Sequence, residues 1–416
     1  MNKIVSLIGW IVFALVIVYD TILSKIWAAP DRVLTCSGIL QGVLDLNTGI
    51  LRGQGVSAAI AVRERGYWAG ASGLSEPGKP VQADMLFNIA SIGKNFLAAL
   101  ALQLAEEVKL SLDDPIAKWG LGSPTIDAQI TVRQLLNHTS GVYDWATHRQ
   151  SPFIVPYREI DHAKVWTQDE LLDKLGGEPY FSPGTGWHYS TTNYNLLRFV
   201  AEKVTGTSAL VEIQNRFLRP LGLEHTLALG VDDPIPPHLE MVHSWIDAGG
   251  HAGGHAGSRA GGEVGRRDVS GDSQAWIRSI SPHMMLASAL DLARWSQALY
   301  GGDVLGEASL KEMLDFHRPT PGEPPVTGYG LGTEEIAVRG LFRSYGHLGY
   351  HYGSMSAMLY LPRLRTSVVV LTNENNHAFQ YGVAFSLLAL ILARWLRPAL
   401  CFVCLLILTV VLWRTR

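Results

Sequence analysis

Two side chains at the front of an apolar helix have the types and spacing for nucleophilic chemistry. The stretch from Asn88 to Glu107, NIASIGKNFLAALALQLAEE, carries apolar residues at helical intervals and opens with Ser91 and Lys94. On a helix this three-residue spacing brings two Cβ atoms to about 5–6 Å, so the ammonium can reach the hydroxyl. Free N–H groups and the positive end of the helix dipole favour negative charge there. A capping serine beside a solvated lysine has the same spacing and stays an alternative.

The pair belongs to a series of motifs with a fixed order along the chain. In that order the chain resembles the serine beta-lactamase-related superfamily, closest to the branch of class C beta-lactamases, D-alanyl-D-alanine carboxypeptidases and similar esterases. The resemblance covers roughly residues 56–373. The motifs are LFNIASIGKNF, LSLDDPIAKW, ITVRQLLNHTSGV, FSPGTGWHYSTTNYNLL and YGHLGYHYGSMS.

The resemblance implies a role for each matching residue. Ser91 takes the place of the acylated nucleophile and Lys94 that of its helix partner. Tyr189, which opens YST, falls at the tyrosine usually treated as the general base, and His347 in His-Leu-Gly occupies the third motif. These four residues are the implied catalytic set.

The oxyanion hole is also implied by the resemblance. Its donors would be the backbone N–H groups of Ser91 and Tyr350, with Gly349 beside them on the substrate side. His138, within the signature NHTSG, is interpreted as a structural residue that shapes a turn near the site.

A tyrosine base needs help to ionise near neutral pH. Tyrosine titrates near 10 in water, so its pKa must fall by about 3. One cation at about 4 Å supplies about that much stabilisation at an effective dielectric near 20. We therefore expect Lys94 to lower the pKa of Tyr189, provided that burial does not disfavour both charges.

One residue departs from the family pattern. Thr191 stands where the family's Tyr-x-Asn motif has asparagine, so one hydroxyl replaces an amide that both donates and accepts. Asn193 lies two places later and need not face the site. Amide hydrolysis must protonate a poor leaving group and an ester is more forgiving, so the change favours an ester substrate.

The remaining pattern predicts an α+β fold. Residues 56–73 contain two β-rich runs around Glu64-Arg65-Gly66, and residues 356–362 and 366–373 form two more strands. The sequence between these pairs is mainly helical, including 196–204 and a helix that SALD caps at Ser288. Strands at both ends and helices between predict the beta-lactamase/transpeptidase-like arrangement, an antiparallel sheet flanked by helices with an inserted helical region.

Composition excludes several other classes. The 416 residues carry a formal net charge of −3 and no basic stripe, so nucleic acid is not an expected partner. Three cysteines provide neither a disulfide framework nor a zinc pattern. His251 and His255 have a metal-like spacing, but the glycine-rich stretch 249–271 removes the helix that would align them. We expect a flexible loop there, and no metal or organic cofactor.

The mean hydropathy of the chain is +0.13, and the apolar residues that raise it above zero lie at the two ends of the chain. Residues 4–19 are uncharged and predict an uncleaved anchor or a signal peptide within 1–29. Residues 399–413 predict a C-terminal transmembrane segment within 397–416, with a buried helical hairpin as the alternative. The hydrolase domain would then span 30–396 and lie outside the cytoplasm.

The sequence therefore predicts a membrane-tethered serine hydrolase that forms an acyl-enzyme. Its substrate would be a small molecule or peptide with an ester, a beta-lactam or a peptide-like amide, the ester being slightly favoured. The alternative is a catalytically inactive beta-lactamase fold that serves as a binding module.

Overall fold

The computed structural model describes residues 37–51, 53–146, 170, 172, 177–230, 233–247, 266–271, 285–317, 326–338, 342–377 and 379–391. Among these residues, helices have the bounds α1 Ser37–Leu51, α2 Gly93–Glu106, α3 Val132–Leu136, α4 Thr191–Thr205, α5 Ala209–Ile213, α6 Ala289–Tyr300 and α7 Glu307–Met313. Residues 379–391 form a further helix, α8.

The strands follow the same chain order. They are β1 Gly55–Val62, β2 Gly66–Glu76, β3 Lys79–Pro80, β4 Phe87–Asn88, β5 Thr226–Leu227, β6 Trp245–Asp247, β7 Arg266–Asp268, β8 Leu286–Ala287, β9 Val326–Tyr329, β10 Glu334–Val338, β11 Phe342–His351, β12 Ser354–Leu361 and β13 Thr366–Thr372.

An antiparallel sheet of eight strands forms the centre of the fold. Its order is β3-β2-β1-β13-β12-β11-β10-β9, so the first long strand pairs with the last, and Val56 lies opposite Thr372. The β1–β2 hairpin turns through Glu64 and Gly66, both with positive φ. The predicted sheet, with its terminal strands adjacent and helices inserted between them, is confirmed.

Both faces of the sheet are covered because alternate residues of each strand point to opposite sides. On one face Ala59, Ala61 and Val369 join a core built on α2, α4 and α6. On the other face Ala58 and Val368 pack with residues of α1 and α8. Helix α1 precedes the first strand and was not predicted, since Gly38, Gly42 and Gly49 interrupt its apolar spacing. Helix α6 begins as predicted, with Ser288 Oγ accepting from the Asp291 N–H group.

Several predicted features lie outside the described residues. These are the apolar segments 4–19 and 399–413 and the glycine-rich residues 249–265 with both histidines. Within the predicted loop, Arg266–Asp268 form strand β7, which pairs with β6, so these three residues are a strand and not a loop. Within the described part of the chain, no helix combines enough length with enough apolar residues to cross a bilayer.

Candidate active site

A tight turn places Ser91 in front of helix α2. Residues Ala90–Ile92 form a 3-10 turn that leads directly into the helix. Ala90 has a φ of +49°, a conformation that costs energy in a residue other than glycine. Asn88 Oδ1 accepts from the Ala90 N–H group at 2.9 Å, and Ser356 Oγ donates to the Ile89 carbonyl at 2.7 Å. These bonds hold the strained turn and leave Ser91 partly exposed.

Lys94 lies directly beside the predicted nucleophile. Its Nζ donates to Ser91 Oγ at 3.0 Å, and its side chain is fully buried. Burial lowers the pKa of Lys94 to about 7, although Asp144 and Glu334 act in the opposite direction. A large fraction of Lys94 is therefore a free amine near neutral pH, and a free amine can accept the serine proton. The alternative reading of a solvated lysine is excluded.

Tyr189 also reaches Ser91, through a side-chain hydrogen bond. Lys94 Nζ lies 5.2 Å from the centre of the Tyr189 ring. Burial nevertheless raises the pKa of Tyr189 well above 10, with Glu334 acting in the same direction. The condition on the expected lowering by Lys94, that burial should not disfavour the charged forms, is not met, because desolvation is the largest influence on this pKa. Tyr189 is a neutral phenol, and the residue whose pKa falls toward neutrality is Lys94.

His138 supports Tyr189 from behind. Its ring packs 4.3 Å from the Tyr189 ring, and its backbone has a φ of +63°. Its Nδ1 accepts from Asn193 Nδ2 at 2.9 Å and from the Ser190 N–H group at 3.2 Å. Ser140 Oγ completes the turn by donating to Asn193 Oδ1 at 2.6 Å. Asn193 thus holds this turn and takes no part at the nucleophile.

Thr191 is the first residue of α4 and is 5% exposed. Its backbone N–H group donates to Asp144 Oδ1 at 2.8 Å. Asp144 is itself buried and raises the pKa of Lys94. Thr191 therefore begins helix α4, and the Asp144 carboxyl group that accepts from its N–H group also raises the pKa of Lys94.

His347 lies on β11 and is 1% exposed, so it is a buried residue of the strand and not a surface histidine. Its Nδ1 lies against the Leu348 carbonyl, and its Nε2 lies 3.0 Å from Tyr329 Oη. Burial lowers the pKa of His347 to about 3, with Lys94 acting in the same direction. The ring is neutral, with Nδ1 donating to the carbonyl and Nε2 accepting from Tyr329.

Gly349 lets β11 approach the serine turn. A Cβ atom at this position would lie 2.5 Å from the Ile89 carbonyl oxygen and 2.1 Å from Ser356 Oγ. The Leu348 N–H group points to the edge of β11 away from β12, where it donates to Glu334. Because N–H directions alternate along a strand, the Tyr350 N–H group points to the same edge. The Tyr350 N–H group, which is the predicted oxyanion donor, therefore points away from β12, next to the close contact between Gly349 and the serine turn.

Sequence reasoning missed three buried residues at this site, Asp144, Tyr329 and Glu334. Asp144 follows the NHTSG signature closely and Tyr329 precedes Gly-Leu-Gly, so both stand beside recognisable motifs. Glu334 stands in an ordinary Thr-Glu-Glu run with no local signal. Among the described residues, no group of three or more histidine, cysteine, aspartate or glutamate side chains could hold a metal ion.

Comparison with known proteins identifies the scaffold. The family model described as beta-lactamase matches residues 48–393. Over 316 residues the chain is 26% identical to a penicillin-binding protein of Bacillus subtilis, a match that spans 73% of this chain and 64% of that protein. It is 29% identical to esterase EstB of Burkholderia gladioli over 41% of this chain and 45% of the esterase. The chain thus spans about half to two-thirds of the length of these curated relatives.

Solved structures share the fold over nearly their whole length. A D-stereospecific amidohydrolase from Streptomyces matches with a TM-score of 0.66 and 28% identity, over 81% of this chain and 94% of that one. A D-amino acid amidase from Ochrobactrum anthropi matches with a TM-score of 0.71 and 25% identity, over 85% and 96%. The chain therefore belongs to the beta-lactamase family of serine hydrolases, as its motifs predict.

Proposed function

We propose that this protein is a membrane-tethered serine hydrolase that forms an acyl-enzyme on Ser91 and acts preferentially on a small ester. One observation carries the proposal. A fully buried lysine with a pKa of about 7 donates to the Ser91 hydroxyl at 3.0 Å. A base whose pKa lies near the operating pH is the most effective kind for proton transfer.

In the first step the free amine of Lys94 takes the Ser91 proton. Ser91 Oγ then attacks the substrate carbonyl, and the oxyanion accepts hydrogen bonds from the backbone N–H groups of Ser91 and Tyr350. Each such donor is commonly worth about 3–4 kcal/mol in the transition state. The strained Ala90 and the close contact at Gly349 hold both donors in place before the substrate arrives.

In the second step the leaving group departs with a proton. The proton comes from the Lys94 ammonium through the hydroxyl of Tyr189, which hydrogen-bonds to Ser91 and stays neutral. Water then attacks the acyl-enzyme, giving its proton to Lys94, and the acid product leaves as Ser91 regains its proton. Two moderate barriers thus replace one high barrier.

The ester preference rests on Thr191. An asparagine amide at this position could bind a substrate carbonyl and the lysine together, and the threonine hydroxyl provides fewer such contacts. The likeness to an esterase supports this preference. A second candidate is a short amide of a D-amino acid, which is favoured by the likeness to two amide hydrolases and by a neutral Tyr189 that can donate a proton to an amine.

The competing function is an inactive binding module with the same fold. The contact between Lys94 and Ser91 opposes it, because a buried lysine is costly to keep when it has no chemical task.

A fluorescent phosphonate that reacts with activated serines tests the choice. We expect labelling of the wild-type protein, loss of labelling in Ser91→Ala, and wild-type labelling in the control Ser111→Ala, whose serine is exposed. Aryl esters of short acids should be hydrolysed faster than D-amino acid anilides. A folded wild-type protein that neither labels nor hydrolyses any of these substrates would establish the binding module.

The membrane tether is proposed from the sequence alone, through the apolar segments 4–19 and 399–413. The full-length chain should remain with membranes after an alkaline carbonate wash, and an added protease should cleave it in intact cells. Release of the chain by the wash would contradict a transmembrane tether.

A further inference from the structure

Glu334 is a buried carboxyl group that the mechanism above does not use. It is the first residue of β10 and is 8% exposed. Its Oε2 accepts from the Leu348 N–H group at 2.8 Å, and its Oε1 lies 3.7 Å from His347 Nδ1. The side chain therefore contacts the strand that bears both His347 and the predicted oxyanion donor.

The contact between Glu334 and Leu348 lies where the pairing of β10 with β11 has ended. Strand β10 begins at Glu334, opposite Gly346, so it ends its pairing with β11 two residues before Leu348. The carboxyl group takes the place of the missing strand by accepting from the Leu348 N–H group. The Tyr350 N–H group lies two residues further along the same edge. Glu334 thus fixes the edge of β11 next to the point where substrate must bind.

The segment before Glu334 packs on the helix that carries Lys94. A Cβ atom on Gly332 would lie 2.3 Å from Ala98 Cβ and 3.3 Å from the Lys94 carbonyl oxygen. Asn95 Nδ2 donates to the Gly332 carbonyl at 3.0 Å and to Thr333 Oγ1 at 3.1 Å. These contacts lock the start of β10 against α2, so Glu334 and Lys94 stay close to each other.

We propose that Glu334 is a positioning residue of this active site, one whose carboxyl group holds the edge of β11 on which the Tyr350 N–H group lies. The proposal rests on the proposed function, because it assigns that N–H group the role of oxyanion donor.

The Glu334 carboxyl group is uncharged when Lys94 titrates. Burial raises the pKa of Glu334 to about 8, above the value of about 7 for Lys94, while the bond from Leu348 and the charge of Lys94 act in the opposite direction. The test must therefore change the hydrogen bond to Leu348 and not only the charge. Other titratable groups act on Lys94 or lie around it, and each must stay unchanged in the test: Asp144, His138, His347, Tyr189, Tyr194 and Tyr329.

Glu334→Gln separates the charge from the shape. Its amide oxygen still accepts from the Leu348 N–H group, but the side chain cannot ionise. Because Glu334 is already neutral when Lys94 titrates, we expect the acid limb of the kcat/KM profile, which reports Lys94, to stay within about half a unit of its wild-type position. Because the bond to Leu348 is kept, kcat should fall by less than about twofold. The matched control is Glu335→Gln, the next residue, which pairs with Arg343 and Thr327. Its acid limb should match that of the wild-type protein.

A second variant guards against a folding defect. Glu334→Asp keeps the carboxyl group but shortens the reach to Leu348, so kcat should fall severalfold while the acid limb stays within about half a unit of its wild-type position. Circular dichroism checks that each variant is folded. A kcat that falls as far in folded Glu334→Gln as in folded Glu334→Asp, or a kcat that is unchanged in folded Glu334→Asp, overturns the proposal. Failure of wild-type labelling at Ser91 would instead overturn the proposed function.

Discussion

The active site has a helical wall and a strand wall, and burial favours the neutral form of the titratable groups in both, although the ordinary pKa values of these groups differ. The helical wall carries Lys94 and Tyr189, whose ordinary pKa values are high, and burial lowers the first to about 7 and raises the second. The strand wall carries Glu334 and His347, whose ordinary values are low or middle, and burial raises the first to about 8 and lowers the second to about 3. In both walls burial favours the neutral form of each group.

Desolvation, and not attraction between charges, is therefore the largest influence on the pKa values of the site. A cation beside a phenol suggests a phenolate if the pair is considered in an average dielectric. Here full burial reverses that expectation, because it raises the pKa of Tyr189 and lowers that of Lys94 to about 7, which favours the amine as the proposed base. Charge would appear only during the reaction, where the oxyanion donors are already in position.

Removing the base from the helical wall should have the largest effect. Lys94→Met keeps an apolar chain of similar length, and kcat should fall by about 10³–10⁴. Stability should rise at the same time, because the folded protein no longer buries a group whose pKa falls from 10.5 to about 7. The unfolded chain binds more protons between those pH values, so wild-type stability rises with pH in that range. The gain should therefore be largest near pH 7, roughly 4 kcal/mol, and shrink toward pH 10.5.

Thermal melts at pH 7 and pH 9.5 measure this gain. The matched control is Lys118→Met, an exposed lysine paired with Asp114, which should change neither activity nor the difference in stability between pH 7 and pH 9.5. A Lys94→Met protein that is less stable at every pH would show that the buried lysine contributes net stability. That result would contradict the conclusion that burial of Lys94 destabilises the folded protein.

The contact between the walls is the next most sensitive point. Gly349→Ala would place a Cβ atom 2.5 Å from the Ile89 carbonyl oxygen, which is backbone and cannot move alone. Strand β11 must then move away from the serine turn, and kcat should fall by about 10²–10³ because one oxyanion donor is displaced. Gly42→Ala is the control, since it lies in α1 with open space around its Cα and should stabilise by about 0.5–1 kcal/mol. Equal kcat in Gly349→Ala and wild-type protein would remove the close contact from the mechanism.

The two walls also differ in how far the sequence predicts them. The helical wall is set by short spacings, Ser91 to Lys94 and Tyr189 to Thr191, which a helix or its first turn converts directly into distance. The strand wall depends on which strands pair and where each one ends. Glu334 can accept from the Leu348 N–H group because β10 begins opposite Gly346, and no local sequence pattern predicts that register. Burial of each group is likewise a property of the packed molecule, so the sequence does not show that the pKa of Tyr189 is raised.

The same distinction holds for the fold. The β1–β2 and β12–β13 hairpins have short turns and strong strand patterns, so both were predicted nearly to the residue. Helix α1 was missed because its apolar side chains acquire a partner only when α8, more than 300 residues later, covers the same face of the sheet. Propensity alone cannot identify a helix that tertiary packing stabilises.

A smaller effect should test whether Tyr189 is a donor or a base. Tyr189→Phe removes the hydroxyl that reaches Ser91, and kcat should fall by about 10–10² on esters and by more on amides, whose leaving group needs the proton. The acid limb near pH 7 belongs to Lys94 and should remain, with activity rising as pH increases through it. Loss of that limb in the variant would restore the phenolate as the base. Tyr67→Phe, an exposed tyrosine, is the control.

The smallest effect is expected in the strand wall, at Tyr329. Tyr329→Phe removes the hydroxyl that donates to His347 Nε2, leaving a buried acceptor without this partner. Such a loss costs about 1–3 kcal/mol of stability, and kcat should fall only severalfold because no proton passes through this bond. The freed histidine should also show a changed Nε2 chemical shift, while its ring stays neutral because burial, together with Lys94, still holds its pKa near 3. Protonation of His347 near pH 6 in this variant would mean that Tyr329, and not burial, keeps the strand wall neutral.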